Sequence, residues 1–321
     1  MSNIKVGIVG LGVVGKRLLD QFHESPNIEV AALCDQNKEL LKQTAVEYEI
    51  DFYTTNYQEV VSHQDIQLIY IAVPPAFHFE VVMAALEQKK HVLCEKPLAN
   101  SGTEAEMMNK KAEEVGVVHA MHFPLPYQSA IATMKEAIKD PSFGTVKQIS
   151  LKMHFEKWPR VWQQTPWINT REQGGFVREI MPHYLQLVFS LFGEIEKVKG
   201  EIEFPPNEVE SEIGLSATLT LKSGIDVVVD GLVGAEEEKI LFTIHGTEQT
   251  IALEDWRVLK RAFKNEDLET VSLSEMKASE TTIINELTKA IHGQEAFLID
   301  FQSGMKVQSV LEDILRLPNL N

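Results

Sequence analysis

The run Val6-Gly7-Ile8-Val9-Gly10-Leu11-Gly12-Val13-Val14-Gly15 reads as a β-strand that empties into a glycine-spaced turn and then a helix. No other feature restricts the fold as much, because this is how a βαβ unit with room for a phosphate at its bend begins. Gly10 supplies a positive φ for the turn, Gly12 has no Cβ to hold the backbone away from a ligand, and Gly15 lets the helix pack close to the strand. The N–H groups at the helix start then face an anion. Gly10, Leu11, Gly12, Val13, Val14 and Gly15 are therefore the expected pyrophosphate-binding segment of a dinucleotide site.

The apolar stretch Ile28-Glu29-Val30-Ala31-Ala32-Leu33-Cys34 reads as the second parallel strand, and it ends on Asp35, 20 residues after Gly15. A carboxylate at that distance accepts hydrogen bonds from an adenosine ribose. Its charge repels a 2′-phosphate and no arginine follows closely, so NAD is expected in preference to NADP, with NADP still possible. The alternative for Asp35 is a helix N-cap or a solvated turn.

Residues 4–123 alternate apolar runs near 4–9, 28–34, 68–73, 91–94 and 117–121 with amphipathic segments such as 76–88 and 101–115. That alternation predicts a doubly wound parallel sheet. The nearly all-apolar run Leu68 to Val73 suits a central strand covered on both faces, and Pro74-Pro75 stops it. After Phe123 the texture changes: a helix near 127–139, a strand near 146–156, a helix near 181–192, then alternating segments at 195–204, 213–221, 225–233 and 239–253. Two closing helices fall near 281–291 and 297–310. The expected architecture is an α/β Rossmann domain over 1–123, followed by an α+β domain over 124–321 built on a mostly antiparallel open sheet. The second domain is expected to bind substrate and, through its sheet, to form a homodimer or homotetramer.

Of the 321 residues, 47 are acidic and 30 basic, a net charge of −17 that argues against nucleic-acid binding. No apolar stretch approaches the roughly 20 residues needed to span a bilayer, and a strand begins at once with no cleavable leader, so no membrane partner and a cytoplasmic location are expected. Cys34 and Cys94 sit at strand ends without metal-ligand spacing. Both read as small core residues, and no metal is expected.

Cys94-Glu95-Lys96-Pro97 places a lysine at the carboxyl end of a central strand, where an amine serves as donor to a substrate oxygen or stands in a surface loop. Gly10 to Gly15, Asp35, Pro74-Pro75 with His78, and Glu95-Lys96-Pro97, followed by an open-sheet domain, together resemble the glucose-fructose oxidoreductase / inositol dehydrogenase (Gfo/Idh/MocA) family. The resemblance covers essentially the full chain. It implies that Lys96 is catalytic and contacts both cofactor and substrate, that Pro74 and His78 line the nicotinamide side, and that Glu95 belongs to the cofactor-binding set. The family's other signature is a glycine pair followed by an aspartate and, four residues on, a histidine. Here Gly174-Gly175 is followed by Glu179 in place of that aspartate and by His183, with Met181 replacing a common glycine.

Residues four apart share a helix face, so Glu179 and His183 are both able to address a substrate. Pro182 is comfortable at a first helical turn, so the helix is expected to start there with Glu179 just ahead of it. Imidazole accepts a proton near neutral pH, as oxidation of an alcohol requires, so His183 is the expected acceptor, with a structural histidine as the alternative. Glu179 would orient it or bind a hydroxyl.

Three of the four tryptophans, Trp158, Trp162 and Trp167, fall in ten residues, interleaved with Arg160, Gln163, Asn169 and Arg171. Indoles stack on the C–H face of a sugar, and these polar side chains offer donors; equally, such a loop packs as a hydrophobic plug or subunit contact. Arg178 is a candidate anion clamp. His122, in a segment that replaces an Asn/Arg-rich turn of sugar-processing relatives, is a substrate contact or a linker residue.

The reading that follows is an NAD(P)-dependent oxidoreductase transferring hydride between nicotinamide and a carbinol or carbonyl of a small polyhydroxylated substrate. His183 moves the hydroxyl proton and Lys96 stabilises the oxyanion. A dihydrodiol or dicarbonyl oxidoreductase and a non-catalytic NAD(P)-binding regulatory protein are the alternatives.

Overall fold

The computed structural model describes residues 3–163, 165–272 and 281–320. The chain forms two compact units, Met1–Phe123 with Thr281–Gln308, and Pro124–Glu280 with Ser309–Asn321.

In the first unit the order is β1 (Ile4–Val9), α1 (Val13–Glu24), β2 (Ile28–Cys34), α2 (Lys38–Glu47), β3 (Tyr53–Thr54), α3 (Tyr57–Ser62), β4 (Leu68–Ile71), α4 (His78–Glu87), β5 (His91–Cys94), α5 (Gly102–Val115) and β6 (His119–Met121). Among the described residues these strands make one six-stranded sheet in the order β3-β2-β1-β4-β5-β6, every pair parallel. The order reverses between β1 and β4, which opens a crevice at the carboxyl ends of those strands. Every residue of β4 is buried, as its unbroken apolar run requires. The helices turn apolar stripes onto the sheet: Leu18, Leu19 and Phe22 of α1 have no exposed surface. Cys34 and Cys94 are buried free thiols whose pKa is raised by burial first and by neighbouring carboxylates second.

The segment Thr281–Gln308, placed by sequence reasoning with everything after residue 123, instead packs in this first unit. Met121 N–H donates to Ile299 O at 2.7 Å, and Phe301, itself fully buried, stands 4.9 Å from the His119 ring. This segment thus covers the edge strand β6, which would otherwise present unpaired backbone. This segment carries α8 (Ile283–Ile291) and the first residues of α9 (Phe301–Leu315).

The second unit holds α6 (Ser129–Ala137), β7 (Val146–Phe155), α7 (Phe176–Phe192), β8 (Ile195–Glu203), β9 (Gly214–Leu221), β10 (Asp226–Val233), β11 (Lys239–Gly246), β12 (Gln249–Glu254), β13 (Val258–Phe263) and β14 (Glu269–Thr270). Its sheet runs β14-β13-β12-β11-β7-β10-β9-β8, antiparallel except for the β7/β10 pair.

Helix α7 does not begin at Pro182. It begins at Phe176, after Gly175 at φ +96°, and Val177 N–H donates to the Glu212 carboxylate at 2.7 Å. Pro182 lies inside, where its missing N–H and its ring cost about 3 kcal/mol. Burial of Phe176, Ile180, Tyr184, Leu185 and Leu187, at roughly 1.5–3 kcal/mol each, outweighs that cost. Among the described residues no helix is long and apolar enough to cross a membrane.

Candidate active site

The glycine turn of the first unit is built for close approach. Gly10 has φ +101°, and a Cβ there would lie 2.4 Å from Ala72 O; one at Gly15 would lie 2.1 Å from Gly10 O. At Gly12 the same test finds nothing within 4 Å. Helix α1 starts at this open point with no side-chain cap and no acidic residue in its first turn. Val13 and Val14, 57% and 39% exposed, flank it. The positive end of the helix thus faces open space, a cradle that fits a dinucleotide's pyrophosphate.

Asp35 stands beside this cradle. Its Oδ2 accepts the Leu11 N–H at 2.7 Å and its Oδ1 accepts the Asn37 N–H at 2.8 Å, tying the glycine turn to the end of β2. The N-cap of α2 is Asn37, whose side chain accepts from Leu40 N–H at 3.1 Å, so the capping role belongs to Asn37 and not to Asp35.

Pro74, half-buried, precedes the short 3₁₀ turn Pro75–Phe77 at the end of β4. His78 has no exposed surface and does not line a cleft as the resemblance implied. Its Nδ1 is 2.8 Å from Pro97 O and its Nε2 2.9 Å from Val73 O, so the ring braces the loop after β4 against the loop after β5. Burial lowers its pKa against the pull of the two carbonyls.

The Lys96–Pro97 peptide is cis, and Lys96 is half-buried just past β5. Its neighbour Glu95 is buried, and Oε1 both accepts the Tyr70 O–H at 2.7 Å and lies 2.5 Å from His122 Nδ1. Burial pushes the Glu95 carboxyl up, but His122, the Tyr70 hydroxyl and Lys96 pull harder and hold it below the usual carboxylate range. The Tyr70 phenol is driven well up by burial and by the Glu95 charge. His122, which lies just before the unit boundary at Phe123, is thus a buried partner of Glu95. Tyr70 was passed over within an apolar strand; its hydroxyl near the strand's carboxyl end was the available signal.

In the second unit, Glu179 and His183 lie four apart on α7. The glycine pair before them is explained by contact: a Cβ at Gly174 would lie 2.1 Å from Ile168 O, and one at Gly175 would lie 2.2 Å from a Glu212 carboxylate oxygen. Glu212 is wholly buried and pushed up to about 7, chiefly by that burial. His183 is buried, with Trp256 5.0 Å away at 87° between ring planes.

The tryptophan-rich loop divides its residues between packing and exposure. Trp158 is a plug: its ring lies 5.0 Å from Phe155 and 6.2 Å from Phe176, and its Nε1–H donates to Ile168 O at 3.3 Å. Trp162 is 50% exposed and Trp167 half-buried. The Arg160 guanidinium sits over Phe155, Trp158 and Trp162 and pairs with Glu238 at 3.0 Å. Buried Gln163 accepts the Arg160 N–H at 3.2 Å, and Asn169 lines a cleft with Trp158, Ser211 and Glu212. Arg171 stacks 4.0 Å from Phe204 and donates to Asn207 O at 2.9 Å. Burial lowers the pKa of the half-buried Arg178 guanidinium, and the negative charges of Glu212, Glu312 and Glu172 act against that shift.

A family model described as oxidoreductase family, NAD-binding Rossmann fold, matches residues 4–123, and the GFO/IDH/MocA C-terminal domain matches residues 131–252. The chain belongs to the Gfo/Idh/MocA oxidoreductase family. Among curated members of that family, levoglucosan dehydrogenase of Pseudarthrobacter phenanthrenivorans is 26% identical over 292 residues, 78% of this chain and 73% of its own length. The scyllo-inositol 2-dehydrogenase (NADP(+)) of Bacillus subtilis is 21% identical over 97% of this chain and 93% of its own. The solved levoglucosan dehydrogenase in complex with NADH shares the fold, with a TM-score of 0.83, 23% identity and coverage of 98% of this chain and 96% of that one. This Gfo/Idh/MocA member is thus an NAD-binding oxidoreductase by family.

Proposed function

We propose that this family member is a dehydrogenase of a small polyhydroxylated, sugar-like substrate that uses NAD in preference to NADP. The observation that carries the reading is the open, uncapped start of α1 with the Asp35 carboxylate tied beside it by the Leu11 N–H. Gly10 to Gly15 would hold the pyrophosphate and Asp35 the adenosine ribose, where its charge disfavours a 2′-phosphate. When bound, the nicotinamide supplies hydride exchange with the substrate carbon.

The chain's own residues supply the proton chemistry. His183 takes the proton of the substrate hydroxyl during oxidation and returns it in the reverse direction. The Lys96 ammonium stabilises the charge that develops on the same oxygen. Glu179, one turn before His183, binds a neighbouring hydroxyl or steadies the imidazole. Relatives named for levoglucosan and scyllo-inositol support a polyol or cyclic sugar as the substrate class. We read the second unit's sheet, with Leu232 and Phe263 exposed on β10 and β13, as the surface through which copies assemble.

A panel of cyclic sugars, inositols and dicarbonyls, followed at the nicotinamide absorbance band with NAD and with NADP, tests the assignment. K96M and H183A should each lower turnover by orders of magnitude while NADH still binds. Unchanged turnover in both variants would reject these roles, and NADH binding without turnover of any compound would favour a non-catalytic nucleotide-binding protein.

A further inference from the structure

We infer that Trp256 is a positioning residue for His183, fixing the imidazole by an edge-to-face contact; the inference rests on His183 being the proton acceptor. Trp256 lies in the turn joining β12 to β13, closed by Arg257 N–H donating to Glu254 O at 3.1 Å. Both central residues have positive φ, 45° at Asp255 and 72° at Trp256. Glycine or asparagine ordinarily fills such positions, and a bulky aromatic there is an outlier.

The surroundings hold the turn in that conformation. Asp255 N–H donates to Ile240 O at 2.8 Å, and the Asp255 side chain accepts the Ile240 N–H at 3.0 Å, so backbone and side chain together pin the turn to the start of β11. Strain kept in place by this much anchoring is characteristic of functional sites. What the strained position delivers is the indole: its ring lies 5.0 Å from His183 at 87° and 5.4 Å from Tyr184 at 39°. Tyr184 is backed in turn by Phe242, 5.6 Å away and nearly parallel at 29°. Two consecutive side chains of α7 therefore meet one ring that is itself supported by the sheet.

Edge-to-face geometry is the arrangement the aromatic quadrupole favours, so the contact sets the plane of the imidazole and the rest of α7 sets its position. A proton acceptor works only within hydrogen-bond reach of its hydroxyl, and a displacement of about 1 Å can cost about 100-fold in rate. An aliphatic side chain at 256 would fill part of the space without defining that plane. Phenylalanine would keep the ring.

The test compares W256L, W256F, W256G and H183N with the parent on levoglucosan, scyllo-inositol and the rest of the sugar panel. NADH binding followed by fluorescence and thermal melting accompany the kinetics. We expect W256L to lower kcat at least tenfold with KM changed less than threefold, and W256F to recover most of kcat. W256G, whose backbone is at ease in the turn, should show the W256L loss even if W256L folds poorly. A kcat for W256L and W256G within twofold of the parent, or equal losses in W256F and W256L that follow melting temperature, would overturn the inference. If H183N is inactive while the Trp256 variants are unaffected, only this inference falls. If H183N keeps its turnover, or no compound is turned over, the proton-acceptor role falls and this inference with it.

Discussion

Glu95, the residue before Lys96, and His122 are joined by a buried 2.5 Å contact between Oε1 and Nδ1. Breaking a buried pair by removing one partner commonly costs about 3–5 kcal/mol, because the other charge is left uncompensated. H122A should therefore lose stability on that scale, and Y70F, which removes a single hydrogen bond, about 1 kcal/mol. Urea denaturation checks both; a loss below about 1 kcal/mol for H122A would show that Glu95 is satisfied by other means.

The same pair has a pH signature. Because the Glu95 carboxyl is held below its ordinary value in the folded protein, its contribution is complete above the ordinary carboxylate range. It is lost as pH falls through that range to the depressed folded value. H122A should flatten the acid limb of the stability curve relative to the parent, as measured by denaturant midpoints at successive pH values below 5 or so.

Glu212 has the opposite sign. Its carboxyl, pushed up from the ordinary carboxylate range to about 7, prefers a proton in the fold, so stability falls as pH rises from about 4.5 to about 7 and is level above that. E212Q keeps an acceptor for the Val177 N–H and cannot ionise. It should remove this decline, an effect of order 3 kcal/mol between pH 4 and 8 or so. Equal pH slopes in parent and variant would contradict the assignment.

The glycines of the α1 turn separate folding from cofactor binding. G10A places a Cβ 2.4 Å from the Ala72 carbonyl oxygen at φ +101°, and G15A places one 2.1 Å from Gly10 O; both should fold poorly. G12A meets no atom within 4 Å, so its melting temperature should stay near the parent's while NADH affinity drops at least about tenfold. Unimpaired NADH binding by G12A would move the pyrophosphate elsewhere.

Replacing Asp35 by serine removes the charge that disfavours a 2′-phosphate. We expect D35S to raise KM for NAD at least about tenfold and to narrow the preference over NADP, with steady-state kinetics on both cofactors as the check. An unchanged cofactor ratio would place the ribose outside its reach.

The parallel sheet was legible because its signals are local: the glycine turn, the all-apolar β4 and the Asp35 spacing each report on a few neighbouring residues. Pro182 misled for the same reason. A local preference for the first helical turn was overruled by the long apolar face of α7. His78 stands at the start of α4, within the amphipathic segment its position suggests, but its complete burial and its bonds to the Val73 and Pro97 carbonyls depend on two loops that meet only in the fold. Arg171 and Trp158 have the chemistry of ligand-binding residues, and within the fold they apply it to Phe204, Asn207 and Ile168, partners that no local pattern reveals. Glu212, just before β9, and Trp256, in the β12–β13 turn, meet α7 from segments distant in sequence, and nothing in their own neighbourhoods announces those contacts.

The strap formed by residue 299 and its neighbours has a bearing on biosynthesis. Met121 N–H waits for the carbonyl of Ile299, so as the chain leaves the ribosome the rim of the nucleotide-holding sheet stays bare until synthesis has passed residue 299. A fragment ending at Phe123 would keep that rim permanently uncovered and would be prone to pair with its own copies. Grafting 281–308 back onto it through a short linker restores the missing cover and is the practical route to producing that half alone.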